Sequence, residues 1–186
     1  MRCGGKSFQT TSCTGIDFQG YTIRKDFIII PCVSAHFFLE EVRQQITLPI
    51  LSIFDVVAET LISGHPNIKT VGLMATTGTI KGDLFQKRLA ADNIKTIVPA
   101  ESQQAKVMAA IYDIKNSQPA RSRTQITSDL IATAKNLISN GARGIIAGCT
   151  EIPLALKQEH LSVPYFDALT ILARAAIFKA GLTPIP

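Results

Sequence analysis

Residues 141–153 read GARGIIAGCTEIP, and the predicted fold depends most on these residues. A short apolar run at residues 145–147 is followed by a glycine, by Cys149 and by a segment that can form a helix. This order is typical of a buried parallel strand that ends in a turn at the start of a helix. The stretch therefore predicts a strand that presents a thiol at the carboxyl edge of a sheet.

A second thiol occurs upstream in the same arrangement. Residues 26–36 read DFIIIPCVSAH, in which an apolar run is again followed by a cysteine, Cys32, and by a segment that can form a helix. The partial positive charge of a helix N-terminus lowers the pKa of a cysteine and favours the thiolate. A single cysteine in such a place is more often part of the packing. Two in matching positions predict a pair of acid–base residues, Cys32 and Cys149.

Strands and helices alternate along the chain from residue 27 onward, whereas residues 1–25 show no period and are predicted as a loop. The other strands are predicted near residues 27–31, 48–53, 69–74, 94–98 and 163–166, and the helices near residues 34–46, 54–63, 80–91, 102–115, 128–139, 151–158 and 168–180. This alternation indicates an α/β fold with a largely parallel sheet covered on both faces. Because ligands bind beyond the carboxyl ends of such strands, both thiols are predicted on the functional edge.

Composition excludes several classes of protein. Of the 186 residues, 46% are hydrophobic and 18% are charged, which are values of a globular protein. No apolar run is long enough to span a membrane. The net charge of +5 is spread over single residues without interleaved aromatic side chains, so we predict no nucleic-acid surface. The N-terminus shows no apolar export signal and four cysteines are few for a disulfide scaffold, so we expect a cytoplasmic location.

Residues 76–79 read TTGT between a predicted strand and a predicted helix. Their hydroxyl groups and the helix-terminal amides can hold a carboxylate. The plainer alternative is N-capping, which Thr and Ser perform in most proteins, and the two roles can coexist. His36 is expected to hold the nearby loop through a local hydrogen bond. No metal site is predicted, because the spacing of Cys3 and Cys13 matches no familiar zinc pattern.

Three motifs follow one another in the chain: PCVSAH at residues 31–36, LMATTGTI at residues 73–80 and AGCTE at residues 147–151. Together they resemble the cofactor-independent aspartate/glutamate racemase superfamily. Glu151 stands where the glutamate racemase branch usually has histidine, so the chain is more similar to the aspartate racemase branch. The resemblance implies two similar flavodoxin-like lobes with the site between them, a last helix that returns to the first lobe, no cofactor and commonly a homodimer.

The resemblance also implies roles for individual residues. Cys32 and Cys149 would exchange protons with opposite faces of the substrate Cα. Lys115 would face the second carboxylate of the substrate, although without the resemblance it would be interpreted as a surface lysine. Hydroxyl groups and backbone amides would hold substrate carboxylates at five further residues, Ser34, Thr76, Thr77, Thr79 and Thr150.

Two features differ from the family pattern. The first cysteine of the family is normally followed by asparagine, whereas Val33 stands here, which removes a substrate hydrogen bond of about 0.5–1.5 kcal/mol. Only 31 residues precede Cys32, so we expect a first lobe that is incomplete at its N-terminus. The predicted division assigns residues 1–63 and 163–186 to the first lobe and residues 64–162 to the second.

The predicted function is a PLP-independent aspartate racemase, whose partner is a small dicarboxylic amino acid. A glutamate or hydantoin racemase of the same superfamily would share the cysteine pair and differ in its side-chain pocket. A decarboxylase or isomerase could reuse the scaffold, although decarboxylases tend to keep one thiol and both are present here. A truncated, non-catalytic relative that binds a dicarboxylate weakly is the remaining alternative.

Overall fold

The first described segments of the chain form an antiparallel strand pair. The computed structural model of the protein describes three stretches, residues 14–16, 22–24 and 26–183. β1 (Thr14–Ile16) pairs with β2 (Thr22–Arg24). The prediction of a loop is therefore wrong for these two strands, because three-residue strands are too short to show an alternating pattern.

Two short parallel strands form the next sheet. β3 (Ile28–Ile29) lies beside β4 (Ile50–Leu51). The connection between them contains a 3₁₀ helix (Ser34–Phe38) followed directly by α1 (Leu39–Arg43), where the sequence predicts one continuous helix. After β4 the chain enters α2 (Ile53–Gly64), as predicted. Because the two strands are parallel, the helical segments that follow them begin at the same edge of the first sheet.

Four described strands form the second sheet, and all of them are parallel. They are β5 (Thr70–Ala75), β6 (Lys95–Ile97), β7 (Ile145–Gly148) and β8 (Tyr165–Asp167). Their order across the sheet is β6-β5-β7-β8, so β5 and β7 are central. All four residues of β7 are buried, which is why this strand is a continuous apolar run. The strand predicted before Cys149 is confirmed.

Helices pack on both faces of the second sheet. They are α3 (Thr77–Lys81), α4 (Leu84–Ala90), α5 (Glu101–Lys115), α6 (Arg123–Ser139), α7 (Ile152–Ala155) and α8 (Ala168–Lys179). α3 and α4 replace a single predicted helix. The break lies at Asp83, whose φ of +58° is left-handed and ends a right-handed helix. Among the described residues, no helix has both the length and the apolar character needed to cross a membrane.

Two apolar clusters fill the two faces of this sheet. Along β5, the side chains of Val71 and Leu73 pack with residues of α2 and α8, whereas Met74 packs with residues of α5 and α6. Successive side chains of a strand point to opposite faces, so the buried apolar residues of β5 contribute to both clusters. The core therefore packs against both faces of β5 and β7, and this packing positions the residues that follow the two strands.

The two parallel sheets match the two lobes of an α/β protein, which confirms the predicted fold class. α8 packs against α2, the contact that a returning last helix requires. The predicted division at residue 163 places β8 in the first lobe, whereas β8 pairs with β7 of the second sheet. The sheet pairing therefore does not follow that boundary, and the division into lobes stays a prediction.

Candidate active site

Cys32 lies in an exposed turn that a buried histidine holds in place. Nδ1 of His36 donates to the backbone carbonyl of Cys32 at 2.9 Å, and Nε2 accepts from the backbone N–H of Ile53 at 3.2 Å. Because Nε2 accepts a hydrogen bond, the ring is neutral with its proton on Nδ1. Burial lowers the pKa of His36 and favours this neutral form. The expectation that His36 holds the loop is confirmed, and the turn is tied to the start of α2.

A cluster of three hydroxyl groups joins the Cys32 turn to the end of β5. Ser34 Oγ lies 3.1 Å from Thr76 Oγ1 and 3.0 Å from Thr79 Oγ1, and the two threonine oxygens are 2.9 Å apart. Thr76 also caps α3, since its Oγ1 accepts from the backbone N–H of Thr79 at 3.1 Å. The capping role is therefore present. The role of this hydroxyl cluster in binding a carboxylate stays a prediction.

Thr77 faces a different element from the hydroxyl cluster. Gln104 on α5 donates through Nε2 to the carbonyl of Ala75 at 2.9 Å and to Thr77 Oγ1 at 3.3 Å. The backbone N–H of Thr77 donates to the sulfur of Met108 at 3.2 Å. Gln104 and Met108 thus anchor the end of β5 to α5. The sequence analysis missed both, although their spacing of four residues places them on one helical face.

Cys149 is the first residue after β7, and Thr76 is the first residue after the neighbouring strand β5. Ala75 and Gly148 are partners in the strand ladder, so Thr76 and Cys149 are the next residues on two neighbouring strands. Together with the contact between Ser34 and Thr76, this register connects the two cysteine turns through one continuous set of contacts. No contact between the two sulfur atoms follows from it, and their action as a pair stays a prediction.

The Cys149 thiol is buried and bonded to a carboxylate. Its Sγ donates to Oε2 of Glu151 at 2.9 Å, and Oγ1 of Thr150 donates to the same oxygen at 3.0 Å. The other oxygen, Oε1, lies 3.4 Å from Nζ of Lys115 at the end of α5. The structure therefore brings the predicted residues Lys115 and Thr150 next to Cys149, and it adds Glu151 between them.

The protonation states of this group follow from its surroundings. Burial, followed by the hydrogen bond to Glu151, raises the pKa of Cys149 to about 12. Burial alone would raise the pKa of Glu151, but hydrogen bonds from Cys149 and Thr150 and the charge of Lys115 outweigh it and lower that pKa. At neutral pH the group is a thiol beside a carboxylate. The sequence led us to expect that a helix N-terminus favours the thiolate at both cysteines; at Cys149, burial and the adjacent anion act in the opposite direction and exceed the effect of the short helix α7.

Two further predicted features have clear positions. Val33 is buried in the apolar core shared with α2, with only 4% of its surface exposed, so its side chain contributes to packing. Cys3 and Cys13 lie outside the described residues. Within residues 26–183, no three His, Cys, Asp or Glu side chains are grouped as metal ligands. The groups that can perform chemistry here are thiols, a carboxylate, an ammonium and hydroxyls, which together suit proton transfer near an anionic ligand.

Known proteins resemble this chain over most of its length. A family model described as Asp/Glu/Hydantoin racemase matches residues 19–176. An uncharacterised protein in the pnlA 3′ region of Pectobacterium carotovorum subsp. carotovorum is 35% identical over 140 residues, which cover 74% of this chain and 89% of that protein. The broad specificity amino-acid racemase RacX of Bacillus subtilis (strain 168) is 32% identical over 152 residues, which cover 82% of this chain and 63% of RacX.

A solved structure has the same arrangement of elements. The crystal structure of an aspartate racemase homologue from Pyrococcus horikoshii OT3 superimposes with a TM-score of 0.70 at 27% identity. The match covers 84% of this chain and 67% of that one. The chain therefore spans about two thirds of the length of this homologue and of RacX, and these likenesses support the fold and the family.

Proposed function

Because the chain belongs to the Asp/Glu/hydantoin racemase family, we propose that it inverts the Cα of an amino acid without PLP, with aspartate as the substrate. In this proposal one cysteine, Cys32 or Cys149, removes the Cα proton from one face. The other returns a proton to the opposite face. The substrate carboxylates are held by the hydroxyl cluster, by three further side chains and by the backbone amides of the turns; the three side chains are Thr77, Lys115 and Thr150.

One observation carries the proposal. The hydroxyl cluster and the register of β5 with β7 connect the Cys32 turn to the Cys149 turn at the carboxyl edge of the second sheet. Each thiol comes from a different parallel sheet, and ligands of such folds bind at this edge. A substrate held on the hydroxyl cluster would therefore lie between the two turns.

The chemistry requires strong stabilisation of the carbanion. The Cα hydrogen of an amino acid is weakly acidic, and the substrate carboxylate makes its removal harder. Amides, hydroxyls and a cation aimed at the developing enediolate provide this stabilisation in a site from which water is excluded. Lys115 supplies a cation at this place, because its Nζ lies 3.4 Å from Oε1 of Glu151, whose other oxygen binds the Cys149 thiol.

Membership of the family does not specify which amino acid is the substrate. Aspartate rests on the similarity to the aspartate racemase branch, whereas the name of RacX describes broad specificity for amino acids. Glutamate and hydantoin substrates are the alternatives, and kinetics on a panel of D and L amino acids and hydantoins would distinguish them.

We further propose a homodimer in the cytoplasm, and light scattering on the purified chain would measure the oligomeric state.

Solvent deuterium tests the reaction itself. In D₂O the protein should incorporate deuterium at Cα of both L- and D-aspartate and produce the opposite enantiomer, as followed by NMR and chiral chromatography. The Cys32→Ser/Cys149→Ser variant should show no incorporation. A folded wild-type protein that exchanges no substrate of the panel would instead favour a non-catalytic relative that binds a dicarboxylate weakly. Exchange that persists in the double variant would exclude the thiols as the acid–base pair.

A further inference from the structure

Glu151 is the best-connected charged side chain near Cys149, and the proposed reaction gives it no role. Its carboxylate accepts from the Cys149 thiol and from Thr150 through one oxygen and pairs with Lys115 through the other. Only 15% of this side chain is exposed, whereas 54% of the Lys115 side chain is exposed. The carboxylate therefore lies in a poorly solvated place, where its hydrogen bonds are strong.

The direction of these hydrogen bonds determines where the protons are. An ionised carboxylate can only accept, so the two short contacts to Oε2 require that Cys149 carries its S–H and Thr150 its O–H. A thiolate at Cys149 would place two negative charges about 3 Å apart, which strongly disfavours its formation. The geometry therefore selects the protonated form of Cys149.

We propose that Glu151 is a positioning residue that keeps Cys149 protonated and directs its thiol, so that Cys149 is the proton donor of the resting enzyme. The catalytic meaning of this inference rests on the proposed racemase function. In the step that starts from the resting enzyme, a thiolate at Cys32 takes the Cα proton, so that its S–H bond forms as the Cα–H bond of the substrate breaks. The S–H bond of Cys149 breaks as the new Cα–H bond forms, which leaves a thiolate beside the carboxylate. Reprotonation of Cys149 and loss of the proton from Cys32 then restore the resting form.

Other charged groups around Cys149 are engaged elsewhere or act in the opposite sense. From α5, Lys115 favours an anion at Cys149, and Asp113 binds Arg121 at 2.6 Å. From α6, Arg123 donates to the carbonyl of Leu154 on α7. On β8, Asp167 caps α8, since its Oδ1 accepts from two backbone N–H groups of that helix. Glu151 is therefore the group whose charge opposes ionisation of the thiol through a direct contact.

The two neighbours of the thiol are expected to have opposite effects, which makes the inference testable without any racemase assay. Glu151→Gln keeps the shape of the side chain and removes the anion, so the thiolate of Cys149 becomes easier to form. Lys115→Met removes the cation and makes the thiolate harder to form. The thiolate is the form that reacts with alkylating reagents, so the alkylation rate reports the thiolate fraction.

The experiment measures the rate of alkylation of Cys149 by iodoacetamide in the full chain between pH 7 and pH 10, with peptide mass spectrometry to identify the residue. Glu151→Gln should accelerate the reaction at Cys149 at least tenfold at a given pH, which corresponds to one unit of pKa. Lys115→Met should slow it. Glu159→Gln, at an exposed carboxylate outside the site, should leave the rate unchanged. Cys32 in the same digest is the internal reference for the reagent.

An unchanged or slower rate at Cys149 in Glu151→Gln would overturn the inference. Circular dichroism and thermal unfolding verify that each variant is folded. Should Glu151→Gln fail to fold, Glu151→Asp replaces it, because the shorter side chain breaks the contact with Sγ and should also accelerate alkylation. A tenfold effect in a protein that racemises nothing would support the role of Glu151 in holding the thiol proton and would reject only the proposed function.

Discussion

The Cys32 turn and the Cys149 turn have the same local pattern and different surroundings. Both follow a parallel strand and precede a helical segment. Cys32 is exposed after a two-residue strand, and the backbone carbonyl of Cys32 is bound by His36. Cys149 is buried after a central strand, and Glu151 binds its thiol directly. The Cys32 turn is therefore held by a hydrogen bond to its backbone carbonyl, and the Cys149 turn by a hydrogen bond from its thiol.

This difference shows that a repeated motif does not produce two equivalent thiols. In the Cys149 turn, burial and a neighbouring anion favour the thiol form. In the Cys32 turn, a neutral imidazole fixes the loop and leaves the sulfur side exposed. If the two residues act as an acid–base pair, the pair is asymmetric, and the two directions of inversion begin from different protonation states.

The largest expected effect comes from removing one thiol at a time. Cys32→Ser and Cys149→Ser should each reduce kcat/KM for inversion by about 10²–10⁴-fold, because a general acid or base of this kind contributes that factor. Each variant retains one thiol that contacts one face of Cα. We therefore expect each to exchange the Cα proton of one enantiomer only, and the two variants to differ in which enantiomer it is, as measured by NMR in D₂O.

Cys3→Ser/Cys13→Ser provides the matched control and should keep the wild-type rate. If Cys32→Ser and Cys149→Ser both retained exchange with the same enantiomer, the two thiols would not act on opposite faces. The comparison between the two turns would then concern structure alone.

The next largest effect concerns the Cys32 turn. His36→Leu leaves the buried N–H of Ile53 and the carbonyl of Cys32 without their partner, which should lower the free energy of unfolding by about 2–3 kcal/mol. The folded-state pKa of His36 lies below its ordinary value of 6.5, because burial disfavours the charged ring. The unfolded chain therefore binds the proton more readily, and stability is full above about pH 6.5 and decreases below it.

Urea denaturation at several pH values measures this effect. Wild-type protein should lose up to about 1.4 kcal/mol of stability per pH unit below that point through this one group, and His36→Leu should lack that component. His160→Gln removes a histidine outside the Cys32 turn, whose Nδ1 accepts a local backbone N–H, and is the control for the loss of an imidazole. An identical pH dependence in His36→Leu would show that the buried ring is not the group that titrates.

The smallest effect concerns packing beneath the Cys149 turn. A Cβ at Gly148 would lie 2.9 Å from Leu73 Cδ1, 3.1 Å from Ala75 Cβ and 3.3 Å from Phe85 Cε2. Leu73 can move its side-chain end, but the Cβ of Ala75 moves only with the backbone of β5. Gly148→Ala should therefore lower the free energy of unfolding by about 1–3 kcal/mol, the usual cost of overpacking a core.

Thermal unfolding of Gly148→Ala and Gly64→Ala forms a matched pair. Gly64 ends α2, and a Cβ there would meet no atom within 4 Å, so this substitution should be neutral or slightly stabilising. Equal melting temperatures for the two variants would mean that the residues packed against Gly148 move to accommodate a Cβ at little cost in stability. The burial that distinguishes Cys149 from Cys32 would then be less rigid than the structure indicates.

Local sequence patterns were enough to predict the α/β class, the two strand–cysteine–helix turns and the edge of the sheet at which they lie. Apolar runs such as residues 145–148 are local signals, because a buried parallel strand needs apolar side chains on both faces. The bond of His36 to the Cys32 carbonyl and the capping role of Thr76 were also predictable, since both contacts lie within four residues along the chain. The bond of His36 to Ile53, 17 residues away, was not. The break between α3 and α4 at Asp83 and the short strands β1 and β2 were not predictable, because no periodic pattern marks them.

The chemical state of the site depends on contacts between distant parts of the chain. Lys115 and Glu151 are far apart in sequence, and the contact of Ser34 with Thr76 spans two sheets. No local pattern encodes such distances. The local pattern indicated a helix dipole that favours the thiolate at both cysteines, whereas packing favours the thiol at Cys149. A pKa depends on burial and on every charge within a few ångströms, whichever part of the chain supplies it.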